Sequence, residues 1–400
     1  MYWVGIDWAD AGHQICMLNS KEAPIYEGNI NHSHSGFACL EKKFQELDMP
    51  NEKISIICET KHNLLIDFLN KRNYRVYVVN PKAIDRFRDT LRQSATKSDR
   101  FDAFCLAHFL KANAGRLAPL EAEDENVKRA RALSRFRSRL VKNKVTIQNA
   151  LIGQLKSYYP RSLELFGLDT AVFAAFLRAY PTPPALRQES EEGFQAFLKS
   201  AHYTYMRNAQ KLGKIAVAEQ IEADPILEEA ASTFALMLLD QLELVSCQIK
   251  DIEAKMKHLI SSYEPAKIIS SIPGAGDVVS TGIVAGLGAL GRFCSASAVQ
   301  CIAGTAPVTR QSGNYKYVKM RKSCNKNLRD SIQHLAFASV KQCAWAEEFY
   351  QSQRQRGKRH HSALRALGNK WIRIIHAMLK ENKPYDEGYH LLNQQRFQKV

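Results

Sequence analysis

Leu238, Leu242, Val245, Ile249, Ile252, Met256 and Leu259 follow one another at spacings of 4, 3, 4, 3, 4 and 3, and Ala231 and Ala235 extend the pattern backwards. Heptads of this regularity admit one local structure: a long α-helix with a narrow apolar seam that a second helix must cover. A weaker seam lies upstream at Leu133, Phe136, Leu140 and Ile147, with Asn143 at a seam position. The two helices can pair within one chain or between chains, and the sequence leaves both open. Pro181–Pro184 punctuates the stretch between them, which sets off an insertion around residues 160–205. The middle of the chain, residues 119–265, is therefore expected to be a helical coiled-coil segment.

The first 118 residues read differently. Tyr2–Asp7, His13–Asn19 and Ile25–Ile30 are short apolar runs of strand length, joined closely enough to form hairpins. Helical spacing at Gly36–Leu47, a β-branched run at Ile54–Glu59, a helix at Leu64–Arg72 and a strand at Arg75–Val79 follow. Helical patterns then cover Pro81–Leu91 and Ser98–Leu110. The order βββαβαβα implies a mixed sheet covered by helices, the element order of the ribonuclease H-like fold. The expected fold class is α/β plus all-α: this mixed sheet, the helical middle, and a helical basic domain over 266–385 with a tail at 386–400. In that last domain Leu328–Tyr350 and Ser362–Leu379 read as two helices.

The formal charge of +16 is unevenly placed. Residues 1–120 carry 16 Lys/Arg against 14 Asp/Glu, residues 121–265 carry 19 against 19, and residues 266–400 carry 21 against 7. A polyanion is the natural partner of such a segment, because binding it releases condensed counterions. No acidic residue interrupts Arg310–Arg329, which holds Lys316, Lys319, Arg321, Lys322 and Lys326. Upstream, Arg129, Arg135 and Arg139 are either a solvated helix face or part of a nucleic-acid stripe. Ile272-Pro-Gly-Ala-Gly276 stands between helices and is similar to a helix-hairpin-helix turn, in which the backbone at Gly274 and Gly276 would hold a phosphate. The nine cysteines, Cys294 and Cys324 among them, contain no CxxC pair, which argues against a zinc ribbon or disulfide framework and suits a reducing compartment. The sequence shows no apolar run approaching the ~20 residues of a membrane span and no signal-peptide layout. A cytoplasmic protein without a membrane partner is expected.

Four carboxylates occupy positions that chemistry would choose. Asp7 closes the first strand and Glu59 the fourth, which are neighbours in this fold. Asp99 and Asp102 stand three apart at a helix start and can face the same way. Acids converging from strand ends and a helix make a hard-oxygen site for Mg2+, with Mn2+ as a substitute. Ser312 precedes Gly313-Asn314, a pair suited to a tight turn that exposes the serine hydroxyl.

The ordered set Gly5-Ile-Asp7, Glu59-Thr60, Lys97-Ser-Asp99-Arg-Phe-Asp102, Ile272–Gly276, Ala303-Gly304-Thr-Ala-Pro307, Ser312-Gly313, Asn327-Leu-Arg329 and Lys370-Trp-Ile-Arg resembles the DEDD transposases of the one-ten family of bacterial insertion sequences, relatives of the Piv-type DNA invertases. The chain departs from that pattern at Thr60-Lys61-His62 and at Gly304–Pro307. The resemblance implies a first domain similar to the RuvC junction resolvase, with Asp7, Glu59, Asp99 and Asp102 as metal ligands. It implies Ser312 as a nucleophile that forms a phosphoserine link to DNA. It also implies a structured bridge RNA as guide, donor and target double-stranded DNA as substrates, and a homo-oligomer in which dimers assemble to a tetramer. Two other readings of the residues stay open: a junction-resolving nuclease using metal-activated water, and a catalytically inert nucleic-acid-binding protein.

Overall fold

Ile54–Cys58 is apolar at nearly every position and every residue of it is buried, which marks a strand covered on both faces. It is the fourth strand of a five-stranded mixed sheet. The structure, a computed structural model, describes residues 1–59, 64–91, 98–120, 124–203, 205, 209–218, 223–288, 295–313 and 315–398. Thr60, Lys61, His62, Lys97, Cys294 and Asn314 lie outside the described residues. The chain forms two units, residues 1–122 and 123–400.

In the first unit, β1 (Tyr2–Trp8), β2 (Gly12–Leu18) and β3 (Pro24–Asn31) are antiparallel neighbours. β4 (Ile54–Cys58) and β5 (Arg75–Val78) add in parallel on the other side of β1, giving the order β3-β2-β1-β4-β5. Helices α1 (His34–Gln45), α2 (Leu64–Lys71), α3 (Pro81–Leu91) and α4 (Asp99–Asn113) complete the unit. This is the mixed sheet the sequence implies, consistent with a ribonuclease H-like transposase domain. One residue sets how closely α4 approaches. A Cβ on Gly5 would fall 2.0 Å from the Ala103 carbonyl oxygen and 2.6 Å from the Ala107 nitrogen, so only a glycine lets the helix lie directly on β1.

The second unit is built on two long helices, α5 (Glu125–Tyr158) and α11 (Pro225–Ser262). They pair within the chain and run antiparallel: Arg137 Nε lies 2.7 Å from Glu253 Oε1, whereas Gln154 reaches the Ala231 carbonyl. Leu238, Leu242, Ile249, Met256 and Leu259 are buried, as the heptads require. The expected seam on α5 is displaced: Leu133 is buried, but Phe136 is 49% exposed and Asn143 lies outside. At that level the Arg137–Glu253 pair joins the two helices instead. α11 is the one described helix long and apolar enough, by length and composition, to cross a membrane. This departs from the expectation that no apolar run approaches the length of a membrane span; the buried seam of the helix packs against α5.

Between the long helices, α6 (Ser162–Leu165), α7 (Ala171–Ala179), α8 (Pro183–Arg187), α9 (Glu191–Ser200) and α10 (Ala209–Val217) enclose an aromatic core around Phe173, Phe176 and Phe194. After α11 come α12 (Glu264–Ser270), α13 (Asp277–Leu287) and α14 (Ala296–Ile302). The ribbon β6 (Val308–Ser312) and β7 (Tyr315–Lys319) follows, then α15 (Lys326–Val340), α16 (Ala344–Gln355), α17 (His360–Glu381) and α18 (Glu387–Gln398). The single helix expected over Leu328–Tyr350 is two helices, broken where the Cys343 N–H returns to the Ser339 carbonyl and the chain restarts at Ala344. The segment expected as a tail contains α18. Trp371, fully buried, anchors this region and donates its indole N–H to Ser339 Oγ at 2.8 Å.

Candidate active site

β1 and β4 are in register, with Ile6 opposite Cys58, so Asp7 and Glu59 emerge at the same, C-terminal, end of two adjacent parallel strands. The direction of α4 decides where the other two acids stand. Gly5 meets Ala103, whereas eight residues later Lys111 lies 5.3 Å above the Trp3 ring and donates to the Ser20 carbonyl beyond the far end of β2. The helix therefore runs antiparallel to β1, and its first turn, with Asp99 and Asp102, reaches the Asp7 end. Ser98 caps that turn by accepting the Phe101 N–H. Four carboxylates thus arrive at one end of the sheet from three elements.

They do not close around a common point. Among the described residues, no three carboxylate, imidazole or thiol groups stand close enough together to hold a metal ion. Asp99 is exposed and Asp102 buried. Asp102 Oδ1 lies 2.8 Å from Arg88 Nε on α3, an ion-pair separation without hydrogen-bond alignment, and Arg88 also bonds Asp85 at 3.1 Å. A buried carboxylate needs such a partner, because leaving it unpaired costs several kcal/mol. As a set, the acids offer the hard oxygen donors that a divalent cation takes. Cys105, one turn further on, does not join them: burial, against the pull of Arg88 and with the Asp102 carboxylate beside it, pushes its thiol up to about 11.

Two features of this end escaped the sequence reading. Arg88 is invisible as a partner because its contact with Asp102 is between helices. His13 is buried at the same sheet end, opposite Trp8 in the ladder, and its Nε2 lies 2.8 Å from His32 Nδ1. Burial, reinforced by His32, lowers the His13 pKa to about 4. The alternation of β2 pointed His13 inward, and that was the available signal.

In the second unit, Ser312 ends β6 and is exposed, paired in the ladder with Tyr315 across Gly313, whose φ of +56° suits glycine. Arg310, Lys316, Lys319, Lys322 and Lys326 are all exposed. Arg321 and Arg329 are half-buried, the latter beside Asp330 and the Cys324 sulfur. On α5 the basic stripe divides: Arg129, Arg135 and Arg139 face outward, while Arg131 and Arg137 bond the Ala285 carbonyl and Glu253. The Ile272–Gly276 turn does connect two helices, but its glycines differ in role. Gly274, at φ +87°, is pressed against α15, where a Cβ would meet Ala338 Cβ at 2.8 Å. Gly276 is exposed at the start of α13, with open space where a side chain would stand. Of the two, only Gly276 stands open to a ligand.

Residues 4–160, which include all four acids, match the family pattern of DEDD transposases of the IS110 group. Residues 266–351, which include Ser312, match that of the transposase IS116/IS110/IS902 family. The chain is similar to the mini-circle putative transposase for IS117 of Streptomyces coelicolor, 28% identical over 96% of this chain and 95% of the relative. It is similar also to a 42 kDa protein of insertion element IS900 from Mycobacterium paratuberculosis, 24% identical over 96% of each. A 44.8 kDa protein of insertion element IS116 from Streptomyces clavuligerus is 24% identical over 95% of each.

Proposed function

The chain belongs to the IS110 family of insertion-sequence transposases, and from that premise we propose that it cuts and rejoins DNA with two sets of groups: the carboxylates Asp7, Glu59, Asp99 and Asp102, and the hydroxyl of Ser312. The observation that carries the reading is the arrival of four carboxylates at one sheet end, on elements whose approach Gly5 permits. Those acids would hold Mg2+, or Mn2+ in its place, which supplies charge stabilisation at the phosphate and a lowered proton affinity for the attacking oxygen.

Ser312 Oγ gives up its proton and forms the new bond to phosphorus as the bond from phosphorus to the deoxyribose oxygen breaks, and that oxygen leaves as a hydroxyl by taking up a proton. The strand stays esterified to the protein, so rejoining needs no outside source of energy. The exposed lysines Lys316, Lys319, Lys322 and Lys326 are point charges that suit phosphates better than base edges. Sequence reading therefore falls to a structured bridge RNA that pairs with donor and target double-stranded DNA. The active form is a tetramer assembled from dimers, working on DNA in the bacterial cytoplasm.

Asp7→Asn and Glu59→Gln are expected to abolish excision and strand transfer while leaving the fold and nucleic-acid binding intact. Wild-type activity in either variant contradicts the assignment. Cleavage that persists in Ser312→Ala would leave the acids in place and hand the attack to water.

A further inference from the structure

We infer that one face of the β6–β7 ribbon is a docking strip for an unpaired DNA strand, on which Tyr315, backed by Tyr317, stacks against a base while Arg310 and Lys319 hold the adjoining phosphates. The inference deepens the proposed function in one respect only: if Ser312 is the nucleophile, the strip positions the strand that it attacks.

The ladder sorts the ribbon's side chains. Pairing of Val308 with Lys319, Arg310 with Tyr317, and Ser312 with Tyr315 places these six residues on one face, because side chains alternate along a strand. Thr309, Gln311, Lys316 and Val318 fall on the other. The basic residues that sequence alone groups together are thus divided: Arg310 and Lys319 share the face of Ser312, and Lys316 does not. The arrangement of that face agrees with the register. The Tyr315 and Tyr317 rings have centroids 5.3 Å apart at 57°, and Lys319 Nζ stands 4.6 Å over the Tyr317 ring.

Packing does not account for these rings. Tyr315 is 67% exposed, and eight of the ten ribbon residues, all but Val308 and Tyr317, are exposed, so neither face of the ribbon is buried. A two-stranded ribbon of this kind is marginal by itself, so large exposed aromatic groups on it call for a ligand. The surrounding charge selects an anion, since Arg310–Arg329 contains no acidic residue. Aromatic faces beside cations select a nucleobase joined to a phosphate.

The same geometry selects an unpaired strand. A base within a duplex has both faces covered by its neighbours, so a tyrosine ring reaches a base face only where the strand is unstacked. A base does not fit between the two rings. That would require about 6.8 Å, twice the ~3.4 Å spacing of stacked bases, against the 5.3 Å observed. Tyr315 therefore offers its exposed face to a base, and Tyr317, half-buried with Lys319 over its ring, backs it. A strand being transferred must leave its partner to be joined elsewhere, and that is the species this face fits.

The test uses the full-length chain and a 12-nucleotide oligothymidylate carrying one 5-iododeoxyuridine, cross-linked by light and mapped after trypsin digestion. The cross-link is expected on Tyr315, within the peptide 311–316. Tyr315→Ala is expected to weaken binding about tenfold, within the range for one base–aromatic stack, and Tyr315→Phe to retain both affinity and cross-link. Retention by phenylalanine separates stacking from a hydrogen-bonding or purely structural role. Ser312→Ala is expected to keep the cross-link, so failure of the covalent mechanism and failure of the docking strip give different results. Cross-links confined to other regions, equal losses in the alanine and phenylalanine variants, tighter binding of the fully paired duplex, or preference for oligouridylate would each overturn the inference.

Discussion

The acids and the serine are supported in opposite ways. Asp7 and Glu59 leave strands whose neighbours Ile6, Ile56 and Ile57 are wholly buried, and Asp102 sits on a helix seated against bare backbone at Gly5. Ser312 sits at the end of a ribbon with no core beneath it, held by ladder hydrogen bonds and the turn at Gly313. Groups that must stand at fixed separations around a small ion need a scaffold determined by packing. A hydroxyl presented to a long polymer needs access first, and an exposed ribbon gives it that.

The largest effect that can break this comparison comes from Gly5. Gly5→Val forces a side chain into the Ala103 carbonyl and is expected to cost about 3 kcal/mol or more, at the upper end of overpacking penalties. Hydrogen exchange should show β1 and α4 losing protection together. Gly313→Ala, by contrast, adds a Cβ with nothing within 4 Å and bears only the cost of its positive φ, about 1 kcal/mol. Equal destabilisation by the two substitutions would erase the distinction between a packed site and a presented one.

The helix pair offers a second contrast, within α11 itself. Met256 is fully buried and Leu244 is 60% exposed. Met256→Ala is expected to lower stability by about 3 kcal/mol in urea unfolding, and Leu244→Ala by less than about 0.5 kcal/mol. A large loss from Leu244→Ala would mean that its face is covered in the assembled protein.

How much of this was legible in the sequence varied with how local the determinants are. The apolar runs of residues 2–31 and the heptads of α11 depend on neighbours a few positions away; the strands appear within one residue of their expected ends, and α11 extends past the heptads to Pro225–Ser262. The partner seam on α5 was misplaced at Phe136, because the choice between Phe136 and Arg137 is made by Glu253 on another helix. The break at residues 341–343 has no glycine or proline to announce it. Arg88 could not be linked to Asp102 before the packing of α3 on α4 was known. The division of Arg310 and Lys319 from Lys316 needed only the strand period, once the pairing of Ser312 with Tyr315 fixed the register.

A pH-dependent effect follows from His13. Its folded-state pKa, lowered to about 4 by burial and by His32, lies below the ordinary value of 6.5. Between those values the unfolded chain takes up a proton that the folded chain refuses. Stability of the first unit should therefore fall as pH drops from about 6.5 to about 4 and change little from this source outside that window, by up to about 3 kcal/mol in all. Urea midpoints followed by exchange in β2 measure it, and His13→Asn should flatten the profile in that range. An unchanged slope in His13→Asn would assign the acid sensitivity to other groups.

The central claim is that the serine hydroxyl attacks DNA and that the acids are required for it to do so. Full-length protein incubated with DNA spanning an element end, its RNA and Mg2+ can be quenched in detergent, digested with trypsin and nuclease, and read by mass spectrometry. Cleavage after Arg310 and Lys316 isolates residues 311–316, which hold both Ser312 and Tyr315, so fragmentation must locate the nucleotide. A phosphodiester-linked nucleotide is expected on Ser312 in the wild type and none in Asp7→Asn or Ser312→Ala. A nucleotide on Tyr315, or strand cleavage that proceeds in Ser312→Ala with no adduct in the wild type, would contradict it.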